Sequence, residues 1–209
     1  MCKKIITFIL SVVMVSANAQ TVGDMFMSMP DSLFPYLTQE QRVELVKLKQ
    51  VDTSTSAVLR SVFNCSVSLD SLEAACMTVN IDSTMTVEMA RLATVSGDSL
   101  YCLLQTVSAP ERETVASIYN KVWEKVSDVD WTDVPLLNRP DTMSDKEFAN
   151  RTSLIEFRMV EARLENADTI VLKLNVPMLS SEDKRLLRDI LVQRRMRWDG
   201  EKYRIDTLQ

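Results

Sequence analysis

Three groups of residues have types and spacings that could do chemistry. The first is a set of thiols, Cys65, Cys76 and Cys102. A two-residue hairpin loop at Asp70-Ser71 would set Cys65 directly opposite Cys76, at a hydrogen-bonded position where Cα atoms stand about 5.5 Å apart, a separation that a disulfide tolerates. The competing reading makes both of them small buried hydrophobes. Cys102 is then left over as a buried thiol with no histidine to lower its pKa. The second group is Met25, Met27 and Met29. On an extended segment this M-x-M-x-M spacing offers soft thioethers to Cu(I); on a helix the three do not share a face, and methionine serves as an adaptable core filler. The third group is Asp128, Asp130 and Asp133 around Trp131. An aromatic ring beside carboxylates suits a sugar, and the D-x-D start is that of a calcium loop lacking its glycine and its closing glutamate. A glycosidase needs two carboxylates at a fixed separation in one cleft, which a single loop does not supply. The alternative is a solvated acidic loop.

Absences narrow the field further. The chain contains no histidine, which excludes Ser-His-Asp and Cys-His catalysis, His-ligated zinc and the usual proton shuttle near neutral pH. Only Gly23, Gly97 and Gly200 are present, so no glycine-rich loop can cradle a phosphate or dinucleotide. An enzyme built from this chain would rely on carboxylates, a Ser-Lys pair or a lone thiolate. No cofactor is called for, and no residue is assigned a catalytic role.

The elements that must position these groups follow from periodicity. Thr38 and Gln41 have the spacing of a capping box and open a helix through about residue 49. From residue 57 the apolar period changes to two: Cys65, Val67 and Leu69, then Leu72, Ala74 and Cys76, then Met85, Val87 and Met89, then 101–107 after a turn at Ser96-Gly97-Asp98. That is a meander of β-hairpins. Residues 114–126 fit a helical stripe or a strand equally well. The polar stretch 127–150, with Pro135 and Pro140, is expected as a long loop. Two further strands are expected at 159–164 and 169–176, a helix at 181–193, and a closing hairpin turned at Asp199-Gly200. The segments 37–42 and 179–184 share a pattern that any capped helix shows.

Lys3 and Lys4 followed by an apolar run at 5–15 and the small residues Ser16-Ala17-Asn18-Ala19 form a secretory signal, with cleavage expected after Ala19. The run is shorter than the roughly 20 residues that span a bilayer, and Cys2 precedes it, so neither an anchor nor lipidation is expected. Removing residues 1–19 takes away two lysines and no acid, moving the formal charge from −5 to −7. Such a surface argues against a nucleic-acid or anionic-membrane partner, and no second apolar run reaches transmembrane length.

Two stretches resemble a known family. One is Asp24-Met25-Phe26, Met29-Pro30-Asp31-Ser32, Pro35 and Leu37, followed by Arg42 and Leu45; the other is Thr106-Val107, Pro110, Thr114, Tyr119 and Trp123. Together they are similar to an uncharacterised family of exported proteins from the Bacteroides group. The resemblance implies a strand at 114–120 and an exported protein, and supplies no activity. Thr114 and Asn120 stand where that family more often has Ser and Asp.

The fold expected is one α+β domain over 20–209, with a long curved antiparallel sheet and two or three helices on one face; a break into two lobes within 127–150 is the alternative. The function expected is that of a non-catalytic exported envelope protein binding another protein or a ligand, the partner being an envelope protein or a glycan. A carboxylate-dependent glycan-active enzyme is the competing reading. Two acids about 5–10 Å apart in one cleft would favour hydrolysis, and a broad exposed apolar patch would favour binding.

Overall fold

In the computed structural model, which describes residues 20–108 and 110–206, four helices and two antiparallel sheets stack in three layers. The expected leader, residues 1–19, lies outside the described residues. Among them, no helix is long and apolar enough to cross a membrane.

Helices α1 (Val22–Ser28) and α2 (Gln39–Val51) form the first layer, and both open on capping boxes. Thr21 and Thr38 each accept a first-turn backbone N–H, while Asp24 and Gln41 reach back to the cap's own N–H. Between the helices the chain turns on Pro30 and Pro35, and Arg42 of α2 holds that turn from inside. Its guanidinium is 1% exposed and donates to the backbone carbonyls of Met29 and Leu37, both at 2.5 Å, and to the Asp31 carboxylate at 2.9 Å.

The second layer is a seven-stranded meander in sequence order: β1 (Ala57–Arg60), β2 (Ser66–Leu72), β3 (Cys76–Ile81), β4 (Met85–Ala93), β5 (Ser99–Ser108), β6 (Arg112–Tyr119) and β7 (Lys125–Asp128). Alternation sends Val79, Val87, Met89, Tyr101 and Leu103 into a core shared with α1 and α2. These are the helices on one face of the sheet, whereas the helix expected at 181–193 contributes to the other core. The opposite phase, Ala90, Leu92, Cys102, Leu104, Ala116 and Ile118, enters a second core. Strands β4 and β5 are therefore buried on both faces, which is why the period of two blurs in β5.

The third layer is a four-stranded sheet, β8 (Met159–Asn166), β9 (Thr169–Asn175), β10 (Arg194–Trp198) and β11 (Tyr203–Ile205), in the order β11-β10-β9-β8. Ala162, Ile170, Leu172, Leu174 and Met196 bring its inner side to the second core. Leu187 of the short helix α4 (Ser181–Leu187) joins the same core, as does Ile190 beyond it. The helix ends at Leu187, short of the expected 193, and Leu191 forms a bridge with Leu137. Within the expected loop 127–150 lies the start of a further helix, α3 (Asp145–Thr152), capped by Ser144.

The sheets are stitched together by side chains that meet the edge of β8. Thr114 Oγ1 accepts from the Ala162 N–H at 2.9 Å and donates to the Ala162 carbonyl at 3.2 Å, while also bonding Thr106 Oγ1 at 2.8 Å. Glu88 accepts from the Leu164 N–H at 3.3 Å. At the far end Trp198 Nε1 donates to the Ala93 carbonyl at 2.7 Å. There the β10–β11 turn passes so close to Val95 that a Cβ on Gly200 would stand 2.8 Å from its methyl.

Candidate functional site

The same junction leaves an open polar cleft of about 400 Å³ where β4 and β6 face β8 and β9. Strand phase explains its lining. Thr86 and Glu88 are two apart on β4, and Glu88 is in phase with the core residues Ala90 and Leu92. Glu161 and Arg163 are two apart on β8; Lys173 pairs across the ladder with Glu161, and Val171 pairs with both Arg163 and Arg195. Arg112 opens β6, and Gln193 stands just before β10. A smaller hollow of about 160 Å³ shares Arg163, Val171 and Gln193 and continues over the outer side of the small sheet toward Arg195 and Asp206.

Glu161 organises one wall. Its carboxylate, 17% exposed, takes Arg112 Nε at 3.0 Å, Asn175 Nδ2 at 3.3 Å and Lys173 Nζ at 3.9 Å. Asn175 also donates to the Arg112 carbonyl at 2.8 Å, fixing β9 against β6. Burial pushes the Glu88 carboxyl up from 4.5 to about 7, against the pull of the Leu164 N–H, Arg112 and Arg163. Arg195 and Glu165 form a two-pronged pair at 2.7 Å on both contacts, and Arg197 reaches Asp168 at 3.2 Å. Arg163, between them and the cleft, has no carboxylate of the described residues within 4.0 Å. The arrangement can bind: it offers three cations, a carboxyl that changes charge near neutrality, and neutral donors and acceptors on Thr86 and Gln193.

The sequence-predicted groups lie elsewhere. Asp128 is exposed on β7 and bonds Ser117 Oγ at 2.7 Å and Lys125 Nζ at 2.5 Å. Asp130 folds onto Thr132, accepting from its N–H at 2.8 Å and its hydroxyl at 2.6 Å. These local bonds hold both carboxyls below the usual range. Asp133 is exposed. Trp131 parts from all three and lines a separate hollow of about 390 Å³ with Pro135, Leu136, Arg158 and Val160. Among the described residues, no three His, Cys, Asp or Glu side chains gather as a metal site.

Two expectations require correction. The Cys65–Cys76 bridge assumed a loop at Asp70-Ser71, but β2 continues through a bulge between Leu69 and Ser71, and Leu72 pairs with Met77. The loop therefore falls at 73–75 and the two cysteines sit at opposite ends of the hairpin. Both are free; Cys65 Sγ lies 2.9 Å from Ser61 Oγ. Burial pushes the Cys76 thiol up to about 11 and the Cys102 thiol up to about 12. The copper reading of Met25, Met27 and Met29 fails because α1 is a helix: Met25 and Met29 are 0% and 2% exposed in the first core, and Met27 packs against that core from its margin.

A family model described as "Protein of unknown function (DUF3256)" matches residues 14–203. The chain belongs to that family. A solved structure of a domain of an uncharacterised protein from Porphyromonas gingivalis W83 is similar in fold to this family member, with a TM-score of 0.71 and 18% identity over 88% of this chain and 98% of that one. No curated protein matches. The motif residues that announced the resemblance do packing work in this member of DUF3256. Arg42 clamps the carbonyl of Met29, Thr114, itself bonded to Thr106, joins the sheets through Ala162, and Tyr119 and Trp123 pack at a tilt with centroids 5.5 Å apart.

Cleft residues escaped the sequence reading because they come from strands between residues 86 and 193, with no local motif. One signal was present: Glu88 is a charge in phase with core residues on a strand that is buried on both sides. An acid placed there must find a partner or a cavity.

Proposed function

We propose that this DUF3256 member is an exported, non-catalytic binding protein of the cell envelope, and that it seats a small polar ligand in the cleft between the two sheets. The observation that carries the reading is the convergence of Arg112, Arg163, Lys173 and Gln193 on one cleft of about 400 Å³, within the roughly 300–1,000 Å³ of small-molecule sites. Binding rather than turnover is supported by a chain without histidine and by thiols whose pKa values are raised rather than lowered. Export is supported by the signal pattern of residues 1–19. The test is a thermal-shift screen of the mature chain against saccharides, organic acids and peptides, repeated with Arg163→Met. A hit that the variant loses supports the cleft; hits indifferent to it place binding elsewhere. Intact mass of the protein recovered from its native envelope checks export, with Gln20 expected as the first residue.

A second reading is favoured by one observation. Glu88 and Glu161 line the same cleft, and Glu88 titrates near 7, the range of a general acid. A glycan-active enzyme would then hydrolyse chromogenic glycosides and lose that turnover in Glu88→Gln.

A further inference from the structure

We propose that the cleft takes a ligand carrying a carboxylate on a hydroxylated framework, an acidic sugar (a uronate) being the simplest such molecule. The inference rests on reading the cleft as a binding site, and it is carried by Arg163. On β8 to β10 three arginines share the outer side of the small sheet. Arg195 is paired to Glu165 through two contacts and Arg197 to Asp168, whereas Arg163 has no carboxylate partner among the described residues. Arg163 also belongs to both hollows, so an oxyanion at its fork sits where the two join. A guanidinium presents parallel N–H groups that match a planar carboxylate.

The surroundings narrow the ligand further. Arg112 and Lys173 share the single charge of Glu161, which leaves this wall net positive in a chain whose formal charge is −5. An anion is therefore drawn here rather than to the rest of the surface. Among the described residues lining the larger cleft, Val171 is the apolar side chain and none is aromatic. Lipid tails and ring-stacked ligands have little to bury against, while Thr86, Gln193 and Glu161 supply the donors and acceptors that hydroxyl groups use.

The experiment is calorimetric titration of the mature chain with glucuronate, glucose and inorganic phosphate at low salt. Glucuronate is expected to bind at least about tenfold more tightly than glucose and than phosphate, and to weaken as salt rises. Arg163→Met should lose about tenfold or more and Arg163→Lys part of that, with an unchanged melting temperature in the absence of ligand showing that both variants fold. Glucose binding as well as glucuronate, with the loss in Arg163→Met retained, overturns the acidic ligand and leaves the cleft reading standing. Phosphate matching glucuronate overturns the hydroxylated framework. Glucuronate binding that Arg163→Met does not weaken, or no binding by any of the three probes, overturns the proposal. A hit from the wider saccharide and peptide screen that Arg163→Met abolishes would still keep the cleft as a site.

Discussion

The two faces of the seven-stranded sheet bury polar groups in opposite ways. On the helix side, Arg42 and Lys49 are buried, 1% and 4% exposed, and both spend their N–H groups largely on backbone carbonyls: Arg42 on Met29 and Leu37, Lys49 on Thr53 and Thr55. Cations used in this way close loops and are unavailable to anything else. On the face toward the small sheet, Glu88, Arg112, Glu161 and Lys173 meet one another at the margin of the core, beside an open cleft. Buried charge locks the chain on one face; charge at a seam stays accessible on the other. The lesson is that the accessible set, and not the most deeply buried residue, marks the candidate site.

The contrast breaks most visibly at Arg42. Arg42→Met leaves the carbonyls of Met29 and Leu37 without donors inside a packed core, and a loss of about 3–5 kcal/mol is expected in urea denaturation. Next comes Glu88. Its unfolded carboxyl releases a proton near 4.5, whereas the folded one holds it to about 7. The folded state binds more protons between those values, so stability falls as pH rises through that window, by about 2–3 kcal/mol from this group. The charged groups facing it are Arg112, Arg163 and Glu161, which the same profile samples. Glu88→Gln, whose amide oxygen still accepts from Leu164, should flatten the slope and be the more stable protein at pH 8. Denaturation series at pH 5 and pH 8 read both effects.

Thr114→Val tests the seam itself. It removes the bonds to Thr106 and to both backbone groups of Ala162, and a loss of about 1–3 kcal/mol is expected on chemical denaturation. The smallest effect belongs to Arg163→Met, at an exposed residue with no ion pair among the described residues, with a change within about 0.5 kcal/mol by the same measurement. A loss there as large as at Arg42 would erase the distinction between locking and accessible charge.

Local signals in the sequence carried much of the architecture. The Thr38–Gln41 capping box, the strand alternation from residue 57 and the Asp199-Gly200 turn each depend on neighbours within a few residues, and each stands in the structure. The bulge after Leu69 was not legible, because it is set by pairing with β3 across the hairpin, and it carried the Cys65–Cys76 reading away with it. Leu191 left its helical pattern for a bridge with Leu137, a contact 54 positions away that no local period encodes. The site was hidden for the same reason. Trp131 was singled out with three aspartates beside it in sequence, yet the ring turns to a hollow of its own while Asp128 and Asp130 bond within their turns. Arg163 and Gln193 come together only when β8 and β10 flank β9.

The edge of β8 bears on how copies of this protein behave at high concentration. An unpaired strand edge invites a neighbouring molecule to add a strand of its own. Here the outward N–H of Leu164 and the outward N–H and C=O of Ala162 are already taken by Glu88 and Thr114. The opposite edge of the small sheet is β11, three residues long, and the last strand of the large sheet, β7, is four residues long with a Lys125–Asp128 pair upon it. The molecule thus presents few places for ribbon-like polymerisation, and shielding of its longest third-layer strand is a by-product of the side chains that join its two sheets.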